Sequence, residues 1–297
     1  MEKNSPSSRK RIAVFAAAGL LVAAGLAWWI GRGPAPAVYE MERTVRYSLT
    51  LRNPSNVLVE NARFWAFAPV AQTAFQRVAN VKASMPYTLE TDHLGNQRLQ
   101  FEADIPPYGS KNVSIDVHLE LATEANEIAV EDSRQFLAAE EKIESDAEEI
   151  VALAASLKRN SQSATADSIF NWVSTSLDYA GYVKDDKGAL YALKERQGDC
   201  TEYSYLYTAL ARSAGLASRP IGGFVTAENA VLRARDIHNW SELYLDGKWR
   251  VVDPQNKRNR VQEHHHIAMR VLSAGGEGLT STHQMIGADD GLEIRLN

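Results

Sequence analysis

The first hydrophobic pattern in the chain is an uncharged apolar run from Ile12 to Ile30. Such a run is long enough to cross a bilayer as a helix. Basic residues at 9–11 precede it, so the positive-inside rule predicts a cytoplasmic tail, residues 1–11, and an extracytoplasmic body that is periplasmic if the source is a bacterium. A cleaved signal peptide is the alternative, since residues 35–37 read Ala-Pro-Ala. The run exceeds a usual signal sequence and ends well before that site, which favours the uncleaved anchor.

A short linker at residues 31–38 leads into a region, 39–121, in which apolar and polar positions alternate. Alternation with period two is typical of strands that bury one face. The pattern, broken by turn-forming pairs, predicts a small antiparallel β-sandwich that acts as a spacer or a binding module. The clearest alternating positions are Val45, Tyr47, Leu49 and Leu51, followed by Val113, Ile115, Val117, Leu119 and Leu121.

Residues 122–160 combine many carboxylates with apolar positions at helical spacing. This combination predicts an acidic amphipathic helical connector that packs on the domain after it. A calcium site is not expected there, because the carboxylates lack the ligand spacing of a calcium-binding loop. The apolar stripe consists of Phe136, Ile143, Ala147, Ile150, Ala154 and Leu157.

The segment 161–297 mixes helical and strand patterns, so the whole chain is predicted to be α+β. One helix is predicted to begin at Cys200. Asp199 is a favourable N-cap, and Glu202 stands at the spacing of a capping box. Apolar residues then recur at helical spacing as far as Gly215, which is typical of a helix end.

A β-hairpin is predicted from two strand-like runs, 237–245 and 248–253, which are separated by an Asp-Gly pair. Counting back from that turn places Trp240 opposite Asp253. His238 then lies on the same face as Asp253 as its diagonal neighbour, within reach of a hydrogen bond. A register slip of one residue would send the two side chains to opposite faces.

Composition excludes several functions. The net charge of −5 and the lack of a basic stripe argue against a nucleic-acid partner. A single cysteine in 297 residues has no resolving partner, which disfavours a thiol redox or metal protein. The three consecutive histidines at 264–266 make a poor chelate and are predicted to be a surface cluster. No metal or other cofactor is expected.

The lone Cys200 becomes a candidate nucleophile because of its position. The N-terminal end of a helix carries partial positive charge, which stabilises a thiolate. A small buried hydrophobe is the commoner role of a single cysteine, so a base is also needed. The hairpin supplies His238 as that base and Asp253 as the group that orients its ring, which completes a possible Cys-His-Asp triad.

At these residues the chain resembles the transglutaminase-like superfamily, a branch of the papain-like thiol enzymes. The likeness covers about residues 130–297. The resemblance implies a domain in which a Cys-bearing helix packs on a sheet that bears His and Asp, with Cys200, His238 and Asp253 in the triad positions. Asn239 departs from the small residue that often follows the family's histidine. The matching pieces are Gly198-Asp199-Cys200 with Glu202-Tyr203, residues 211–219, His238-Asn239-Trp240 and residues 249–254.

The resemblance implies acyl transfer on a protein or peptide substrate, by amine transfer to glutamine or by amide hydrolysis, without a cofactor. A cell-envelope cysteine peptidase is one alternative, and a catalytically inactive binding or scaffold protein is another. Tyr179, Tyr182 and Trp240 are candidate substrate or oxyanion contacts. The sequence does not indicate an oligomeric state.

Overall fold

The computed structural model describes residues 36–128, 133–182, 185–272 and 285–297. The tail at residues 1–11, the membrane-spanning helix at 12–30 and all but the last residues of the linker lie outside them. Among the residues described, no helix is long and apolar enough to span a membrane. Residues 38–297 form one compact unit of mixed α+β structure.

The described residues contain four α-helices and sixteen strands. The helices are α1 (Glu148–Leu157), α2 (Gln162–Ser176), α3 (Ala189–Glu195) and α4 (Cys200–Ser213). The first eight strands are β1 (Met41–Arg52), β2 (Val59–Ala68), β3 (Gln76–Ala83), β4 (Thr88–Thr91), β5 (Gln97–Ile105), β6 (Ser110–Leu121), β7 (Asp178–Tyr179) and β8 (Gln197–Gly198). The remainder are β9 (Ser218–Val225), β10 (Ala230–Val231), β11 (Ile237–Leu245), β12 (Lys248–Asp253), β13 (Arg258–Asn259), β14 (His266–Val271), β15 (Ile286–Ala288) and β16 (Glu293–Leu296). Short 3-10 helices span Ser133–Leu137, Ala234–Asp236 and Glu263–His265.

The alternating region folds into two facing sheets, which are antiparallel except for the parallel pairing of β10 with β1. One sheet has the order β10-β1-β6-β3, with β16 also paired to β1, and the other has the order β15-β2-β5-β4. The alternating apolar residues of β1 and β6 meet those of β2 and β5 in one core. Burial of one face of each strand is the stabilising interaction that the period-two pattern predicts.

The sandwich also includes strands that lie far along the chain from β1–β6. The predicted boundary placed all of 161–297 in the catalytic domain, whereas β15 pairs with β2, and β16 pairs with β1. β10 pairs with β1 as well. The two parts are therefore joined through shared sheets and fold as one unit.

A third sheet, in the order β13-β12-β11-β9-β14, holds the hairpin. Helix α4 packs on it and is buried along almost its whole length. Strand β9, between β11 and β14, contains Gly223, where an added Cβ would lie 2.1 Å from the Ile267 carbonyl oxygen of β14. The glycine therefore permits a close approach of the two backbones.

The predicted helical connector at 122–160 is wrong over most of its length. Among the residues of this segment that the structure describes, only α1 and the 3-10 turn at 133–137 are helical, although Phe136 and Ile143 are buried as the stripe required. The backbone between them bonds to other elements: the Ala138 carbonyl accepts from the Arg212 side chain at 2.6 Å, and the Lys142 carbonyl accepts from the Ala189 amide at 3.0 Å. These tertiary hydrogen bonds replace those of a helix.

Candidate active site

Helix α4 begins at Cys200, and hydrogen bonds to two acidic side chains cap its first turn. The Asp199 carboxylate accepts a hydrogen bond from the Thr201 amide at 2.8 Å, and Glu202 accepts one from the Asp199 amide at 3.1 Å. This is the capping box that the sequence predicts. Cys200 is partly exposed and is not bonded in a disulfide. Cys200 therefore lies at the N-terminus of a helix whose start is fixed by its caps.

The hairpin has the predicted register. Leu245 pairs with Lys248 and Tyr244 with Trp249. The register brings His238 and Asp253 to one face, where the His238 Nε2 lies 2.9 Å from Asp253 Oδ2. The Asp253 side chain is fully buried and that of His238 is 12% exposed.

The imidazole of His238 links this carboxylate to the thiol. Burial lowers the pKa of His238, but hydrogen bonds with Asp253 and Cys200 and the charges on both outweigh it, and the pKa rises to about 9. Because Nε2 bonds to Asp253, Nδ1 is the nitrogen left to face the sulfur. The arrangement favours a protonated imidazole beside Cys200 at neutral pH.

Asp253 is held by more groups than the predicted triad includes. Burial raises the pKa of its carboxyl group, but hydrogen bonds with His238 and His266 outweigh that effect and hold the pKa well below its usual range. His266 Nε2 lies 3.2 Å from Asp253 Oδ2, and Asn256 donates its side-chain amide to the same oxygen at 2.8 Å. Asp253 is therefore a charged carboxylate with a fixed orientation.

The predicted surface cluster of histidines is wrong for its third member. His266 is only 4% exposed, because it opens the buried strand β14 and pairs with Val225. The described residues contain no group of His, Cys, Asp and Glu side chains arranged to hold a metal ion.

Part of the chain matches a known protein family. The model of the transglutaminase-like superfamily matches residues 151–254, the stretch that contains Cys200, His238 and Asp253. This match identifies residues 151–254 as a transglutaminase-like region. A search of curated proteins finds no match to the chain.

Two solved structures are similar to large parts of the chain. A candidate cysteine protease from Cytophaga hutchinsonii has 15% sequence identity and a TM-score of 0.56, with 86% of this chain and 92% of that chain covered. The periplasmic domain of TgpA from Pseudomonas aeruginosa bound to ethylmercury has 14% identity and a TM-score of 0.42, with 71% and 90% covered. The first of these shares the fold of the sandwich and the transglutaminase-like core together.

The three candidate substrate contacts lie in different places around the transglutaminase-like core. Tyr179 is 59% exposed and pairs through β7 with Gly198, two positions before Cys200. Tyr182 is 84% exposed at the end of the same described segment. The pairing places Tyr179 near Cys200, and the role of both tyrosines in binding stays a prediction.

Trp240 is buried and offers no exposed surface to a substrate, and its role as an oxyanion contact stays a prediction. Its side chain is 0% exposed, since it lies between the rings of His238 and His266, with centroids 6.2 Å and 5.0 Å away. The hairpin register, which places Trp240 on the same face as His238, also buries it beneath that ring. The Trp240 indole therefore packs against the imidazole ring of His238.

Asn239, the departure from the family pattern, has a structural role in this core. Its side-chain amide donates to the Thr201 hydroxyl at 2.8 Å. The bond ties the residue after His238 to the residue after Cys200, so it fixes the strand against the helix N-terminus. A small residue at 239 would lack this connection.

Sequence reasoning missed Asn256 and His266. An aspartate side chain in a turn often accepts a hydrogen bond from the backbone N–H of a residue a few positions later. The bond from the Asn256 backbone N–H to the Asp253 carboxylate, at 3.2 Å, could therefore have been anticipated from local spacing. The contact of His266 depends on the pairing of β14 with β9, and no local signal in the sequence indicates that pairing.

Proposed function

We propose that this protein is a thiol enzyme of acyl transfer, in which Cys200 attacks an amide or peptide carbonyl and holds the acyl group as a thioester. The observation that carries the proposal is the hydrogen-bonded chain from Cys200 through His238 to the buried Asp253. The substrate class is a protein or peptide, with a glutamine side chain as the first candidate.

The first half-reaction forms the thioester. The Cys200 thiolate adds to the carbonyl carbon, and the negative charge moves to the carbonyl oxygen. The backbone N–H of Cys200, at the first position of α4, has no acceptor within the helix and can donate to that oxygen. The C–N bond then breaks, and the departing amine takes the proton of the His238 imidazolium.

The second half-reaction releases the acyl group. The neutral His238 imidazole removes a proton from an incoming amine or water as that nucleophile attacks the thioester carbon. The C–S bond breaks and restores the thiolate beside the imidazolium. An amine gives a cross-linked product, and water gives a carboxylic acid. Asp253 keeps the ring oriented through both steps.

We also propose that residues 12–30 anchor the protein in a membrane with the catalytic unit outside the cytoplasm. The uncharged run and the preceding basic residues support this placement. The intact mass of protein purified from the membrane fraction tests the anchor. A full-length mass is expected, and a chain that lacks residues 1–37 would show a cleaved signal peptide instead.

The chemistry is tested with the full-length chain and its Cys200→Ala variant. Each is incubated with glutamine-containing peptides and a labelled primary amine, and the products are resolved by mass spectrometry. We expect Cys200-dependent incorporation of the amine or Cys200-dependent release of ammonia. Ser213→Ala, at the opposite end of α4, is the matched control and should keep full activity.

The remaining outcomes separate the alternatives. Peptide fragments that depend on Cys200, without release of side-chain ammonia, would assign a cysteine peptidase. Absence of every product, together with no alkylation of Cys200 by iodoacetamide at neutral pH, would contradict catalysis and leave a binding or scaffold protein.

A further inference from the structure

The β-sandwich carries a cleft on the outer face of the sheet β15-β2-β5-β4, away from its core. Ala62, Phe64 and Ala66 of β2 point inward and are almost completely buried. Because side chains alternate along a strand, Arg63 and Trp65 point outward. An open cleft of about 510 Å³ lies over this face. That volume is within the range of ligand-binding pockets, roughly 300–1,000 Å³.

Three residues of the cleft lining, Trp65, Gln100 and Thr88, lie in one transverse row of the sheet. Trp65 pairs with Gly287 on one side and with Gln100 on the other, and Gln100 pairs with Thr88. A Cβ at position 287 would lie 2.4 Å from two carbons of the Trp65 indole. The indole therefore rests directly on the backbone at Gly287, and a residue with any side chain there would displace the ring.

The polar groups beside the indole are held in place by one another. The Arg98 Nη2 donates to Glu90 Oε2 at 2.5 Å, and the Gln100 amide donates to the same oxygen at 2.7 Å. Arg98 also lies 5.8 Å from the centre of the Trp65 ring. These contacts limit the rotamers of the two side chains, so binding would cost little further ordering.

The charges along the cleft are balanced. Its lining contains two arginines, Arg63 and Arg98, and two carboxylates, Glu102 and Asp289. Arg63 already lies 3.5 Å from Asp289. A surface built for an anion would carry an excess of positive charge, which this one lacks. The ligand that fits is uncharged and presents both hydrogen-bond donors and acceptors.

We propose that this cleft binds a neutral linear oligosaccharide. A sugar ring presents C–H groups on its flat faces, which match the Trp65 indole, and hydroxyl groups around its rim. Those hydroxyls can donate to Glu102 and accept from Gln100 or Arg98. The site lies on the sandwich and does not involve Cys200, so it goes beyond the proposed acyl transfer. It would hold the catalytic unit on a glycan.

The proposal is tested by calorimetric titration of the full-length chain with three neutral probes, hexa-N-acetylchitohexaose, cellohexaose and maltohexaose. We expect at least one to bind, and we expect Trp65→Ala to raise its Kd about tenfold or more, because an aromatic contact of this size is lost. Gly287→Ala should weaken binding in the same direction by displacing the indole.

Two controls make the result specific. Tyr108→Ala removes an aromatic side chain that is 67% exposed on the same sandwich but outside the cleft lining, and it should bind as wild type does. Cys200→Ala should also bind normally, so a failure of catalysis and a failure of this site are distinguishable. Thermal unfolding of each variant establishes that it is folded.

Several outcomes would overturn the proposal. These are binding of none of the neutral probes, neutral binding that Trp65→Ala leaves unchanged, and binding only of an anionic heparin octasaccharide. Binding only of an extended peptide would also do so, and would point to strand addition at the exposed edge strand β4.

Discussion

At the scale of single residues, the environment of His238 determines the protonation state of the site. A buried histidine without partners would be neutral at pH 7. Here the carboxylate of Asp253 and the thiol of Cys200 reverse that effect and raise the pKa of His238 to about 9. The residue can therefore act first as an acid, which is the order that thioester formation requires.

The pH dependence of the reaction follows from this value. The imidazolium form of His238 is complete well below pH 9 and is lost as the pH rises through about 9. We expect kcat/KM for amide substrates to fall as the pH rises through that value. A pH–rate profile of the full-length chain measures it. A descending limb centred near the ordinary histidine value of about 6.5 would contradict the assignment.

His266 is a positioning residue, since it touches Asp253 and not the reacting atoms. Its hydrogen bond lowers the pKa of Asp253. His266→Leu removes that donor, so the carboxylate should become protonated at a higher pH. The acid limb of the pH–rate profile is expected to move upward, and His266→Gln, which retains a donor, should restore part of the shift. His264→Leu on the same segment is the control, and an acid limb unmoved in His266→Leu would refute the role.

At the scale of elements, the hairpin and the nucleophile helix could be predicted from the sequence, because local chemistry determines both. Asp246 and Gly247 have φ angles of 52° and 81°, which a two-residue turn of this kind requires. The capping residues similarly set the start of α4. By contrast, the contact of His266 and the path of residues 138–147 depend on distant partners, such as β9 and Arg212, that no local pattern reveals.

The cap of α4 is expected to matter for both stability and chemistry. Asp199→Ala removes the acceptor for the Thr201 amide and should lower the free energy of unfolding by roughly 0.5–2 kcal/mol. Because Cys200 occupies the first turn, its alkylation by iodoacetamide should also slow. Chemical denaturation and labelling rates measure the two effects.

Ser161→Ala is the matched control for that prediction. The Ser161 hydroxyl caps α2 by accepting from the Ala164 amide at 3.1 Å, far from the thiol along the chain. It should lose similar stability without a change in labelling rate. Equal slowing in both variants would mean that the cap of α4 has no specific effect on Cys200.

At the scale of the whole molecule, the sandwich and the transglutaminase-like core are connected through strand pairing. Truncation before residue 293 removes β16, which pairs with β1 from Leu49 to Arg52. We expect a loss of stability of about 1–3 kcal/mol from the apolar contacts of Ile294 and Leu296. Hydrogen exchange should become faster in β1. Unchanged exchange there would contradict the pairing.

The pairing of β1 with β16 also bears on how the sandwich is completed during synthesis. The two strands are separated by more than 240 residues, and so this sheet cannot be completed until the ribosome has translated residue 296. A nascent chain would carry Cys200 well before its sandwich is whole. Until then, residues 49–52 of β1 would lack the strand that pairs with them.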